Sequence, residues 1–155
     1  MGPIHTQTAA FGAQALLLRL RRPECYTREL RIELQVSSSR YGNLFETWVV
    51  QELFRLKDYT RSDVRFHYWR TNTGMEVDVL LSRGGGDPHT AIEIKSGAAP
   101  READLKGLLA FRTEYPKARL LCVCRTPHPY SAGPVSVLPW ETAMDDLFPL
   151  GSTTK

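Results

Sequence analysis

Glu93 and Lys95 flank Ile94 in a run, residues 90–96, that otherwise alternates as a strand. With a period of two, Glu93 and Lys95 share one face while Ile92 and Ile94 take the other, core-facing one. The preceding run, 76–81, alternates as well: Val77, Val79 and Leu81 form its apolar face, which turns Glu76 and Asp78 the opposite way. If 76–96 is a hairpin closed by the glycines 84–86, Asp78 and Glu93 come to one sheet face within reach of a shared cation. Two carboxylates with a third from elsewhere suit Mg²⁺ or Mn²⁺, hard cations that take oxygen ligands and keep waters for a phosphate substrate. A lysine two residues after the second carboxylate would orient or help deprotonate an attacking water and offset charge on a phosphorane-like transition state. Such a set hydrolyses phosphodiester bonds. An E-x-K taken alone is more often an exposed ion pair worth under about 1 kcal/mol, so the elements that position these residues decide its meaning.

Residues 39–58 read as a helix, with Tyr41, Leu44, Phe45, Trp48, Val49, Leu53 and Leu56 on one broad face. Glu46 lies at the edge of that face and Glu52 near its middle. A carboxylate buried in mid-stripe is costly unless paired or metal-bound, so Glu46 is the metal-side choice and Glu52, the second helix acid, would pair with a buried cation such as Arg70. Strands follow at 64–70, 76–81 and 90–96, each bounded by Gly, Asn, Asp or Pro. Pro100 suits the first position of a helix that carries Leu105, Leu108, Leu109 and Phe111 and stops at Pro116. Residues 118–124 form an apolar run typical of a buried strand, 135–138 a short strand and 141–148 a final helix. The order from 39 to 124 is α-β-β-β-α-β, an α/β domain with a mixed sheet flanked by helices, spanning 39–150. Residues 1–38 form an N-terminal extension, in which 7–22 suits a helix and Leu30, Ile32, Leu34 and Val36 alternate like a strand.

The 155 residues are 42% hydrophobic and carry a net charge of +3, which fits one domain with an ordinary core and excludes a disordered or fibrous chain. No apolar run approaches the roughly 18 to 20 residues a bilayer helix needs, so no membrane association is expected. The small net charge does not by itself mark a nucleic-acid binder, but it leaves room for a basic patch beside an acidic site. Cys25, Cys122 and Cys124 are an odd set without the second ligand pair of a zinc site, and read as free thiols. With no basic segment ahead of the first apolar stretch, a reducing cytoplasm is the expected location. His67, His89 and His128 show no ligand spacing and read as loop or surface residues. Tyr68 and Trp69 could stack on bases, yet adjacent strand residues face opposite ways, so at least one belongs to the core.

The ordered set of helix acids, strand Asp78 and Glu93-x-Lys95 resembles the PD-(D/E)XK nuclease superfamily, whose core has the same α-β-β-β-α-β order. YGNLFETWVVQEL (41–53), YWRTNTGMEVDVLL (68–81), AIEIKSG (91–97) and GLLAFRTEYP (107–116) are similar to the nuclease-like C-terminal domain of prokaryotic AAA-type ATPases. The resemblance implies a restriction-endonuclease-like core, Asp78 and Glu93 as metal ligands with the Ile94 carbonyl a third, and Lys95 as the catalytic lysine. The family's G-x-x-x-E spacing fits Gly42 and Glu46 and points again to Glu46 as a ligand. It further implies Mg²⁺-dependent hydrolysis of DNA or, alternatively, a catalytically silent module that binds nucleic acid or protein. Arg70, Arg83 and Lys106 would track the phosphate backbone of DNA. No G-x-x-x-x-G-K-[ST] stretch is present, so ATP binding by a P-loop is excluded, and an ATPase partner or self-association remains as a further expected contact.

Overall fold

The computed structural model describes residues 39–149; the expected helix and strand of the N-terminal extension, and Cys25, lie outside them. Helix α1 runs Ser39–Tyr59, and its buried residues Phe45, Val49 and Leu53 recur every fourth position as the stripe that lies on the sheet. Strands β1 (Val64–Arg70), β2 (Glu76–Arg83) and β3 (Thr90–Ile94) form the antiparallel meander that the alternation predicts. The β2–β3 turn is a glycine loop, with Gly84 and Gly85 at φ 59° and 81°, where a side chain would be strained.

A 3₁₀ turn, Glu102–Leu105, then leads into α2, Lys106–Glu114. The helix therefore starts later than Pro100 suggests. Asp104 accepts the backbone N–H of Arg101 and its guanidinium, and this local structure replaces the expected first turn. Helix α2 is the crossover that lets β4 (Arg119–Cys124) lie parallel to β3. Strand β6 (Val135–Pro139) is parallel to β4, and helix α3 (Trp140–Leu147) follows it. The three-residue edge strand β5 (Tyr130–Ala132), absent from the sequence reading, is too short and exposed to show a hydrophobic period.

The six strands stand in the order β1-β2-β3-β4-β6-β5. Helices α1 and α3 cover one face over Phe66, Val79, Leu81, Ile92, Ile94, Leu121 and Val123. Helix α2 covers the other, over Trp69, Val77, Leu80, Ala91, Cys122 and Cys124. Both cysteines are buried free thiols on one face, as their spacing requires.

This division corrects the expectation that Val77, Val79 and Leu81 form one apolar face. The β1–β2 register runs His67↔Leu80 and then Trp69↔Val77, so Asp78 and Val79 together oppose Tyr68. The extra residue is a β-bulge, which sends Val77 to the α2 face and Val79 to the α1 face.

Gly107 shows how tightly α2 sits on the start of β2. A Cβ built at this position would lie 2.0 Å from the Glu76 carbonyl oxygen. Gly→Ala in an open helix stabilises by up to about 1 kcal/mol; here Gly107→Ala should instead destabilise by about 1–3 kcal/mol through overpacking against rigid backbone. Urea denaturation of the two proteins measures the sign, and a variant as stable as the parent would contradict the contact.

Candidate active site

Strands β2 and β3 pair only as far as Val79↔Ile92, although β2 begins at Glu76 and β3 continues to Ile94. Beyond that point the Ile94 N–H donates to Asp78 Oδ2 at 2.8 Å. A side-chain carboxylate thus takes the donor that a strand carbonyl would otherwise accept, and it holds Asp78 in the opening between two strands. An extended residue points its N–H and C=O to the same edge of the strand, so the Ile94 carbonyl also faces this opening.

Glu93 is paired in register with Cys122 and is 6% exposed, buried beneath the α2 side of the sheet rather than on a solvated face. Its Oε1 accepts the Lys95 ammonium at 2.6 Å, while Oε2 is buried without a hydrogen-bond partner. Lys95 lies just past β3, with its N–H donating to the Val123 carbonyl at 2.9 Å. Burial, with Asp78 adding repulsion, outweighs Lys95 and pushes the Glu93 carboxyl up to about 7. The Asp78 carboxyl is also raised, chiefly by burial, against the pull of the Ile94 N–H and Lys95. Burial opposes the Lys95 ammonium, but Glu93, Asp78 and Glu46 overcome that and raise its pKa.

Glu46 is half-buried on α1, and burial lifts its pKa, with Lys95 opposing and Asp78 and Glu76 reinforcing. It belongs to the same electrostatic field. Among the described residues no three His, Cys, Asp or Glu side chains converge into a closed metal cage, so Glu46 does not complete one with Asp78 and Glu93 in this arrangement. The residues nevertheless fit a divalent cation in one respect: a buried carboxylate oxygen lacks a partner beside a second carboxylate, and a backbone carbonyl faces the same opening. The helix N-terminus closes the edge, because a Cβ on Gly42 would be 3.5 Å from Ser96 Oγ.

The other expected residues divide by position. Glu52 pairs with Arg55 at 2.6 Å on the surface of α1, not with Arg70; an i,i+3 partner on the same helix is simply closer than a strand end. Arg70 instead faces Glu76 across β1 and β2 at 4.0 Å. Lys106, exposed at the start of α2, lies next to the Gly107 contact with Glu76 and so borders the site. Arg83 ends β2 beside Val64, about five residues or ~16 Å along the strand from Asp78. It lies at the far end of the sheet from the acidic cluster, as does Arg119, which begins β4 and is ion-paired with Asp146. His67 is not a loop residue: it lies in β1, and its Nε2 is 2.9 Å from Ser82 Oγ. Two site-edge residues went unread in the sequence. Asp104 feels the Lys95 charge from the 3₁₀ turn, and Arg125, whose N–H donates to the Gly97 carbonyl, sits 5.7 Å over the Tyr41 ring.

A family model described as Domain of unknown function (DUF4143) matches residues 41–143. The chain belongs to that family. The DUF4143 match takes in Tyr41, Glu46, the whole sheet and every residue of the acidic edge. No curated protein and no solved structure matches the chain. Among the described residues no helix is long and apolar enough to cross a membrane.

The Glu93 shift has a stability consequence. A folded pKa of about 7 against the ordinary 4.5 of a glutamate means that the folded state binds the proton more tightly. Its contribution is therefore complete below about pH 4.5 and is lost as pH rises through 7, on the order of 3 kcal/mol. Asp78 and Glu46 shift in the same direction. Glu93→Gln should gain stability relative to the parent between pH 5 and pH 8 without divalent cation, read from denaturation midpoints. Parallel curves for the two proteins would rule out the buried charge.

Proposed function

We propose that this DUF4143 domain is a metal-dependent nuclease that hydrolyses phosphodiester bonds in DNA. The observation that carries the reading is the buried Glu93 carboxylate, one oxygen on Lys95 and the other without a partner, beside an Asp78 fixed by the Ile94 N–H. Asp78, Glu93 and the Ile94 carbonyl would hold Mg²⁺ or Mn²⁺, with Glu46 reaching it through water. When bound, such a cation supplies Lewis acidity toward a phosphate oxygen. The protein does the rest of the work. Ile94 keeps Asp78 from rotating out of the opening. Lys95, held protonated by three acids, offers its ammonium to charge developing on the phosphate, and Glu93 orients that ammonium. Arg70 and Lys106 border the same edge and suit phosphate contacts. The resemblance to the PD-(D/E)XK superfamily supports DNA as the substrate. The association of DUF4143 with C-terminal regions of ATPases agrees with the sequence blocks and favours an ATPase as the partner.

A second reading rests on a different observation. Lys95 is engaged with Glu93, and no third acid side chain closes a cage among the described residues. A module that keeps this fold to bind nucleic acid or protein without turnover would tolerate that arrangement.

Cleavage of single-stranded, duplex and branched DNA with Mg²⁺ or Mn²⁺ separates the two. Lys95→Ala should lower cleavage by at least about 100-fold, the scale of losing one transition-state donor, with an unchanged circular dichroism spectrum. Mn²⁺ soaked into crystals should give an anomalous peak between Asp78 and Glu93. Equal cleavage by parent and variant would assign the activity elsewhere, and no cleavage of any substrate by the parent would leave the silent module.

A further inference from the structure

Trp69 and Tyr68 separate as their adjacency in a strand demands. Trp69 is 5% exposed and meets the Phe111 ring edge-on at 5.6 Å, whereas Tyr68 is 44% exposed and belongs to neither core cluster. Exposure of one tyrosine is ordinary, since β1 is an edge strand and aromatics favour strands. Its location is not ordinary. Tyr68 is the residue of β1 that faces the bulge, so Asp78 lies directly across from it on the next strand, about 4.8 Å away in the backbone direction.

The helix side fixes its surroundings further. Phe54 stacks on Phe66 with ring centroids 4.2 Å apart. One helical turn rises about 5.4 Å and two strand residues about 6.6 Å. Stepping from that pair toward the site therefore brings Val50 level with Tyr68, and then Glu46 level with Arg70. The charge that Glu46 feels from Glu76, the cross-strand partner of Arg70, agrees with this alignment. Tyr68 thus lies across from the strand acid, with Arg70 two residues on, its side chain 67% exposed.

We propose that Tyr68 is a stacking platform for an unpaired nucleobase, and that this site takes single-stranded nucleic acid or a frayed end in preference to intact duplex. The inference rests on the nuclease reading of the neighbouring carboxylates. A base and its phosphate are joined through one sugar, so a base resting on Tyr68 leaves its phosphate beside Asp78 on the adjoining strand. Within a duplex each base face is covered by its neighbours, and only an unstacked base can use an aromatic surface. Arg70 supplies a nearby cation for the backbone.

The test uses Lys95→Ala protein, so that substrate survives, and fluorescein-labelled oligothymidylate against a blunt hairpin duplex, read by anisotropy at fixed salt with Ca²⁺. Adding Tyr68→Ala should weaken single-strand binding about 5- to 150-fold, Tyr68→Phe should retain it within about twofold because the ring is kept, and hairpin binding should not change. Equal affinity of the Ala variant, failure of Phe to rescue, equal losses on the hairpin, or no binding of the oligonucleotide at all would overturn the platform. Cleavage of the same two substrates by protein with Lys95 intact is scored separately. Tyr68-dependent binding without cleavage sinks the nuclease reading and keeps the platform, whereas cleavage with Tyr68-independent binding does the reverse.

Discussion

The Asp78 carboxylate on the Ile94 N–H is the interaction on which this edge of the molecule depends. A buried backbone donor must find an acceptor, and where β2 bulges away from β3 the ladder no longer supplies one. A charged acceptor makes a stronger bond than a neutral carbonyl would. The same bond that ends the β-ladder therefore holds a carboxylate in the opening, aims the Ile94 carbonyl there, and sets Glu93 and Lys95 on either side. Fold and site share one hydrogen bond, and neither can be altered there without the other.

Electrostatics sets the charge state of the opening. Lys95 is in contact with Glu93, yet its attraction does not offset burial and the neighbouring Asp78, since the Glu93 carboxyl is pushed up to about 7. Unfavourable negative charge is thus stored around an oxygen without a hydrogen-bond partner. A proton relieves it, which is why the carboxyl is held near neutral pH rather than in the ordinary carboxylate range. The net charge of +3 gives no hint of this, because the relevant quantity is the local field of Glu46, Asp78 and Glu93 against one lysine.

How much of this was legible in the sequence follows from what kind of information each feature needs. The α-β-β-β-α-β order was readable because hydrophobic period reports which face is buried, and the burial of Ile92 and Ile94 follows from it. The bulge was not: Val77, Val79 and Leu81 satisfy a period of two perfectly, and only pairing with β1 reveals the inserted residue. Asp78 and Glu93 still come to one opening in spite of that error, since the bulge moves Val77 rather than the acid's place across from Tyr68. Glu52 was assigned to the wrong cation because a helical wheel shows direction but not distance along the axis, and Arg55 is nearer. Arg70, Arg83 and Lys106 looked alike in sequence, where position along a strand carries no sign. Arg125 meets Tyr41, and Asp104 enters the field of Lys95, only through loops and a crossover, which no local pattern encodes.

That last point is also why the candidate carboxylates gather at a single edge. Strands β3 and β4 are parallel and end together, and open α/β sheets present ligand sites beyond the carboxyl ends of such strands. Strand β2 runs the other way, so its beginning, with Glu76 and Asp78, meets the end of β3. Helix α1 starts at Ser96 through Gly42, and α2 starts over the Glu76 backbone through Gly107. An antiparallel meander joined to a parallel crossover therefore brings the ends of β1, β3 and β4, the start of β2 and two helix starts together. The opposite edge receives Arg83 and Arg119 and none of the candidate carboxylates. Mixed topology, rather than any concentration of charge in the chain, builds the acidic edge; an all-antiparallel sheet of the same residues would place β3 and β4 end to start and take Arg125 away from it.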